Sequence, residues 1–215
     1  MFTGSLSGED GGLSGTGQWM AAATSPTTDP EWFVPTLSWT VSQNGDNTWH
    51  YAYTLSVAQS NIRQLIIESS AMLSKADVLN PIATVGQFAR VKVDNFDYGA
   101  ISTPYLPQSV YGIKFARAGE LTLSVEFDSN FAPVWGDVYA RGANSGGMYN
   151  TLWNGGFADE DPGAAATDGS YNNHVLVPGG LSVGAGEIPE PSTVLLLGLG
   201  SVAAILRQRR LSTLG

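Results

Sequence analysis

From Trp49 to Val57 apolar and polar side chains alternate one for one: Trp49, Tyr51, Tyr53, Leu55 and Val57 against His50, Ala52, Thr54 and Ser56. A period of two puts alternate residues on opposite faces of an extended chain, so the stretch is a half-buried strand and not a helix. Leu121, Leu123, Val125 and Phe127 repeat the pattern against Thr122, Ser124 and Glu126. Leu37–Ser42 comes before the first run, with Asn44-Gly45-Asp46-Asn47 between them. Asn and Gly accept positive φ, so these residues predict a β-hairpin. Ile62–Glu68 is compact and rich in β-branched residues, the mark of a more central strand. Tyr111–Phe115 is expected to pair with 121–127 through a turn at Ala116-Arg117-Ala118-Gly119. Val134–Arg141, Phe88–Val93 and His174–Val177 are further strand candidates, and Ala71–Leu79 is the one helical candidate. Short strands separated by Gly and Pro turns predict an all-β domain, a β-sandwich or jelly-roll.

Composition narrows the functional classes. The 26 Gly and 11 Pro are not periodic, which excludes collagen, and 13% charged residues is too few for a long coiled coil. With no Cys, a disulfide framework, a thiolate metal site and a cysteine nucleophile are excluded. The part before Ser192 has seven basic against nineteen acidic residues, net −12, while Arg207, Arg209 and Arg210 make the tail +3. An acidic body repels phosphates, so no nucleic-acid partner is expected.

Three segments are expected: residues 1–30, rich in Gly, Ser and Thr and mostly flexible; residues 31–185, the β domain; and residues 186–215, a tail of a different kind. The tail opens with Pro189-Glu190-Pro191, extended because each ring fixes φ and keeps the preceding residue out of the helical region. Ser192 is a good N-cap. Val194-Leu195-Leu196-Leu197-Gly198-Leu199-Gly200-Ser201-Val202-Ala203-Ala204-Ile205-Leu206 carries no charge. As a helix it rises about 20 Å, against a bilayer core of about 30 Å. Length alone favours a buried core helix. An all-round apolar surface, a terminal position and arginines able to snorkel favour a single C-terminal transmembrane helix. The positive-inside rule then puts Arg207, Arg209 and Arg210 in the cytoplasm and the β domain outside.

This order of motif, short apolar helix and arginine-rich end resembles the PEP-CTERM sorting signal of Gram-negative and related bacteria. The resemblance implies recognition, and processing near the motif, by exosortase, a membrane protease-transpeptidase. It implies a single-pass membrane precursor in the cell envelope and a mature form at the cell surface or in the extracellular matrix. The body resembles a widespread group of β-rich ectodomains that carry this tail, in Thr48-Trp49-His50-Tyr51-Ala52-Tyr53, Tyr111-Gly112-Ile113-Lys114-Phe115 and Phe127-Asp128-Ser129. Ala132-Pro133-Val134-Trp135-Gly136-Asp137-Val138-Tyr139-Ala140, Trp153-Asn154-Gly155-Gly156-Phe157 and His174-Val175-Leu176-Val177-Pro178 continue it. That resemblance implies a shared fold and no catalytic residues. Exported proteins start with a secretion signal, and Met1–Thr28 shows neither a basic nor an apolar leader region, so a fragment or truncated gene model is expected.

Within the body the chemical candidates are sparse, and no catalytic residue is assigned. Asp94, Asp97 and Asp159-Glu160-Asp161 carry oxygen ligands suited to Ca2+, though without EF-hand spacing; otherwise no cofactor is expected. Asp137, with Glu126 or Asp128, has the residue types of a glycosidase pair. His50 is expected on the exposed face of its strand, and neither it nor His174 lies in a triad pattern. Gly198-Leu199-Gly200-Ser201-Val202-Ala203 matches a dinucleotide fingerprint but lacks the strand and acidic residue that must follow it. Trp49, Trp135, Trp153, Tyr51, Tyr53 and Tyr139 suit a core or a sugar-stacking surface, and Trp153, expected in a Gly-rich loop, is the candidate glycan contact. The leading expectation is a non-enzymatic exported protein. The alternatives are a carbohydrate-binding module for exopolysaccharide and, third, a glycan-active hydrolase.

Overall fold

The computed structural model describes residues 1–21, 34–85, 88–145 and 147–182. Its strands are β1 (Phe2–Ser7), β2 (Leu13–Thr16), β3 (Thr36–Gln43), β4 (Trp49–Ser56), β5 (Ile62–Glu68), β6 (Leu79–Val85) and β7 (Phe88–Phe96). They continue with β8 (Val110–Glu120), β9 (Thr122–Ser129), β10 (Phe131–Gly136), β11 (Val138–Ser145), β12 (Met148–Asn154) and β13 (Val175–Ser182). One short helix, α1 (Gln18–Ala21), and a single 3-10 turn at Lys75–Asp77 complete the described elements. Of the helical stretch expected over Ala71–Leu79, only that turn forms, closed by Ser74 and Asp77 as a capping box.

Every pairing is antiparallel. One sheet has the order β1-β3-β4-β9-β6, a second β2-β12-β11-β5-β8-β7, and β10 and β13 form a two-stranded third. The alternation in β4 sets its faces. Tyr51, Tyr53 and Leu55 point inward opposite Phe127, Val125 and Leu123 of β9, while His50 and Ala52 lie outward opposite Asp128 and Glu126. The predicted hairpin joins β3 to β4, with Asn47 at φ 67°. The inward residues share one core with Leu65, Ile67, Ile113, Phe115, Val138 and Leu152 of the six-stranded sheet, so the two large sheets form two layers. The Phe115 and Phe127 rings meet across the layers at 5.7 Å. The third sheet joins the same core through Trp135, Val175, Leu176 and Val177. Two buried tyrosines tie it in: Tyr51 donates to the Phe131 carbonyl at 2.8 Å and Tyr53 to that of Leu176 at 2.7 Å.

The central β5 is buried on both faces. Leu65 and Ile67 enter the main core, while Ile66 enters a second cluster with Phe96, Leu106, Val110, Tyr139 and Phe157. Tyr139 donates to the Pro104 carbonyl at 2.6 Å and Gln64 to that of Ser102 at 3.1 Å, tying the 97–109 loop over that face.

Three further expectations differ from the structure. Tyr111–Phe115 does not pair with 121–127: β8 pairs with β5 and β7, and β9 with β4 and β6. Ala116–Gly119 extends β8 past a bulge opposite β5, and the chain crosses between layers at Leu121. Val134–Arg141 is two strands in different sheets, split at Asp137. The first 21 residues, expected to be mostly flexible, carry β1, β2 and α1 and bury Leu6, Leu13 and Trp19. Glycine is part of the cause. A Cβ at Gly15 would overlap the Thr151 carbonyl oxygen, so this position lets β2 close on β12.

No helix among the described residues is long and apolar enough to cross a membrane. The expected span Val194–Leu206, the motif Pro189-Glu190-Pro191 and Arg207, Arg209 and Arg210 lie outside the described residues.

Candidate functional site

Among the described residues, a group of ionisable side chains forms where β10 ends and β11 begins. Gly136 closes β10, Asp137 follows, and β11 starts in the other sheet. Asp137 is held from both sides by backbone: its N–H donates to Glu68 Oε2 at 2.8 Å, and its carbonyl accepts from the Glu68 N–H at 2.9 Å. Its carboxylate points inward and is 2% exposed. Asn154, the last residue of β12, is fully buried beside it. Asn154 Nδ2 donates to Asp137 Oδ1 at 2.8 Å and to the Asn173 carbonyl at 2.9 Å, while its Oδ1 accepts from the Val138 N–H at 2.8 Å.

His174 arrives from the opposite direction. Tyr171-Asn172-Asn173-His174 is a tight turn, with Asn172 at φ 49°, Asn173 at φ 60° and the His174 N–H donating to the Tyr171 carbonyl at 2.9 Å. Two consecutive left-handed residues make it a type I′ turn, which asparagine tolerates better than other non-glycine residues. The turn folds carbonyls onto the imidazole: His174 Nδ1 lies 3.1 Å from the Asn172 oxygen and 3.3 Å from that of Tyr171. Both are acceptors, so Nδ1 carries the proton and, in the neutral ring, Nε2 presents a lone pair. Nε2 is buried, makes no hydrogen bond, and faces Asp137 Oδ1 at 3.8 Å and Asp161 Oδ1 at 3.7 Å. A Cβ at position 156 would lie 2.5 Å from His174 Cε1, so Gly156 lets the backbone close on the ring.

The electrostatics follow from this crowding. Burial, with the Asp161 and Asp137 charges, pushes the Glu68 carboxyl up to about 8, against the opposing bond from the Asp137 N–H. Burial pushes Asp137 up to about 6, with the Asn154 hydrogen bond opposing. Asp161, half-exposed at the edge, is raised by burial and held down by His174. Among the described residues none of these carboxylates pairs with a lysine or arginine, and His174 is the one cationisable group against them.

The residues singled out from sequence fall elsewhere or in other company. Asp137 is not grouped with Glu126 or Asp128. Those lie on the outer face of β9, where Asp128 Oδ1 meets His50 Nδ1 at 2.8 Å and Asn44 Nδ2 at 3.1 Å, and Glu126 Oε2 lies 3.7 Å from His50 Nε2. His50 is thus partnered and one-third exposed. Of the acidic residues grouped for Ca2+, only Asp161 joins the cluster. Asp94 pairs with Lys92, and Asp97 accepts from Asn95. Trp153 lies in β12 rather than a loop, half-buried against the second cluster. Trp135, Tyr51, Tyr53 and Tyr139 are core residues. Glu68 and Asn154 are not singled out by any sequence pattern, and His174 is weighed there only as a triad member, because tertiary structure alone brings them to Asp137.

Comparison with known proteins speaks to the other end of the chain. No curated protein and no solved structure matches it. Residues 187–210 match the family model of the PEP-CTERM protein-sorting motif, which spans the Pro-Glu-Pro motif, the apolar run and the arginines. That motif implies sorting by an exosortase system, a membrane enzyme, to the cell envelope. The chain thus carries a β-rich domain followed, at residues 187–210, by a match to the PEP-CTERM protein-sorting motif.

Proposed function

We propose that this protein is a non-enzymatic component of the cell surface or extracellular matrix, made as a single-pass membrane precursor. The sorting-motif match at residues 187–210 carries the reading. In it, Val194–Leu206 crosses the membrane, Arg207, Arg209 and Arg210 hold the tail on the cytoplasmic side, and exosortase acts near Pro189-Glu190-Pro191. The net −12 body then faces outward as a soluble, self-repelling payload. Arginines on the inner side fix orientation.

Fractionation of cells with and without their exosortase tests the proposal. The expected result is envelope material lacking the tail in the first strain and tail-bearing membrane precursor in the second. Identical size and location in both strains would refute sorting by this route. Hydrolysis of a polysaccharide by the purified protein would refute the non-enzymatic part.

A further inference from the structure

We infer that His174 Nε2, Asp137 Oδ1 and Asp161 Oδ1 bind one divalent ion of the zinc or manganese class, which clasps three separate segments of the β domain. The three donor atoms lie within 4.8 Å of one another. Acidic clusters on surfaces are common, but this one has a buried imidazole at its centre. His174 is 0% exposed, and its Nε2 is a polar atom with no hydrogen bond, aimed between two carboxylates. Such an atom is costly unless something shares its lone pair.

The separations bear on what that is. An imidazolium donating to a carboxylate would close to about 2.7–2.9 Å. The Nε2–Oδ1 separations of 3.8 and 3.7 Å are nearly an ångström longer, beyond hydrogen bonding. Two donors on one tetrahedral zinc, each about 2.0–2.1 Å from the metal, stand roughly 3.3 Å apart. The two imidazole–carboxylate separations therefore need to shorten by only about half an ångström, and the two carboxylates, within 4.8 Å of each other, by no more than about 1.5 Å, to share an ion. The surroundings are those of a ligand set. The distal nitrogen Nδ1 faces the Asn172 and Tyr171 carbonyls, which fixes ring and tautomer, and Asp137 Oδ1 is held by Asn154 Nδ2. A nitrogen donor among carboxylates selects zinc or manganese over calcium, which takes oxygen ligands. The ion would link the β10–β11 junction, the 155–170 loop and the turn before β13, a crosslink in a chain without cysteine.

The test uses the full chain in mild detergent, stripped of metal and titrated with ZnCl2, MnCl2 and CaCl2 by calorimetry, with thermal unfolding in parallel. One equivalent of zinc per chain is expected, with a rise in Tm that saturates at that stoichiometry and calcium at least about tenfold weaker. Asp161→Asn and His174→Asn should each weaken zinc binding at least about tenfold. Asp161 is half-exposed, so its variant keeps the fold and near-UV circular dichroism confirms it. His50→Asn separates this site from the outward His50–Asp128 pair and should leave the zinc equivalent in place. Absence of stoichiometric zinc or manganese binding would overturn the inference. So would binding lost in His50→Asn and kept in the folded Asp161→Asn variant.

Discussion

Replacing Asn154 with alanine should destabilise the β domain by about 3–4 kcal/mol. The residue is fully buried and makes three hydrogen bonds, to the Val138 N–H, Asp137 Oδ1 and the Asn173 carbonyl. Alanine removes all three and leaves their partners behind. A buried group stranded in this way costs about 1–3 kcal/mol, more when charged. Val138 is 1% exposed and Asp137 2% exposed, so neither recovers a bond from solvent. Asn173 lies in an exposed turn, and water restores its loss. Two stranded groups, one an acid, set the figure, a large share of the roughly 5–15 kcal/mol that holds a typical domain together. Equilibrium urea unfolding followed by tryptophan fluorescence would measure it. A loss below about 1 kcal/mol would refute the claim that Asn154 carries the junction between β10, β11 and β12.

Three other outcomes follow from the packing. Tyr53→Phe removes the hydroxyl that bonds the Leu176 carbonyl and should cost about 1 kcal/mol in the same urea assay, with the ring still filling the core. Trp19→Ala should cost about 3–5 kcal/mol and open residues 1–21 to limited proteolysis, because the indole is 1% exposed and donates to the Ser60 carbonyl at 2.7 Å. At Asp128 burial is outweighed by bonds from His50, Asn44 and Asn80, which hold the carboxyl below its ordinary value. A depressed acid stabilises above its unfolded pKa of about 3.9 and loses that contribution as pH falls through the folded value. Asp128→Asn should therefore be less stable than the parent at pH 6, with the gap closing below about pH 4 in a pH series of thermal unfolding.

The alternation of Trp49–Val57 and Leu121–Phe127 reveals both strands and, except at Leu121, which lies exposed before β9, their inward faces, and Asn44–Asn47 reveals the hairpin, because these are local properties of backbone and side chain. Which strand pairs with which is not local. Tyr111–Phe115 and Leu121–Phe127 carry equally good patterns, and nothing in either says that the chain changes layers at Leu121. The strand β6 was missed because Pro81 breaks its pattern, which an edge strand tolerates. The N-terminal strands were hidden by glycine and serine, whose small size is what lets β2 approach β12. The acidic site was the least legible part. Glu68, Asp137, Asn154, Asp161 and His174 are drawn from four strand ends and a loop, and a sequence pattern has no term for that meeting. The sorting tail could be read for the opposite reason: its parts act in linear order.

The account's central claim is that residues 187–210 are a processed sorting signal, and the mature C-terminus tests it most directly. Mass spectrometry of terminal peptides from the native protein, after separation of cytoplasm, membrane and envelope, should find an envelope form ending near Pro191. Peptides reaching Leu206 and Arg210 on the envelope form, or on a soluble cytoplasmic protein, would contradict it.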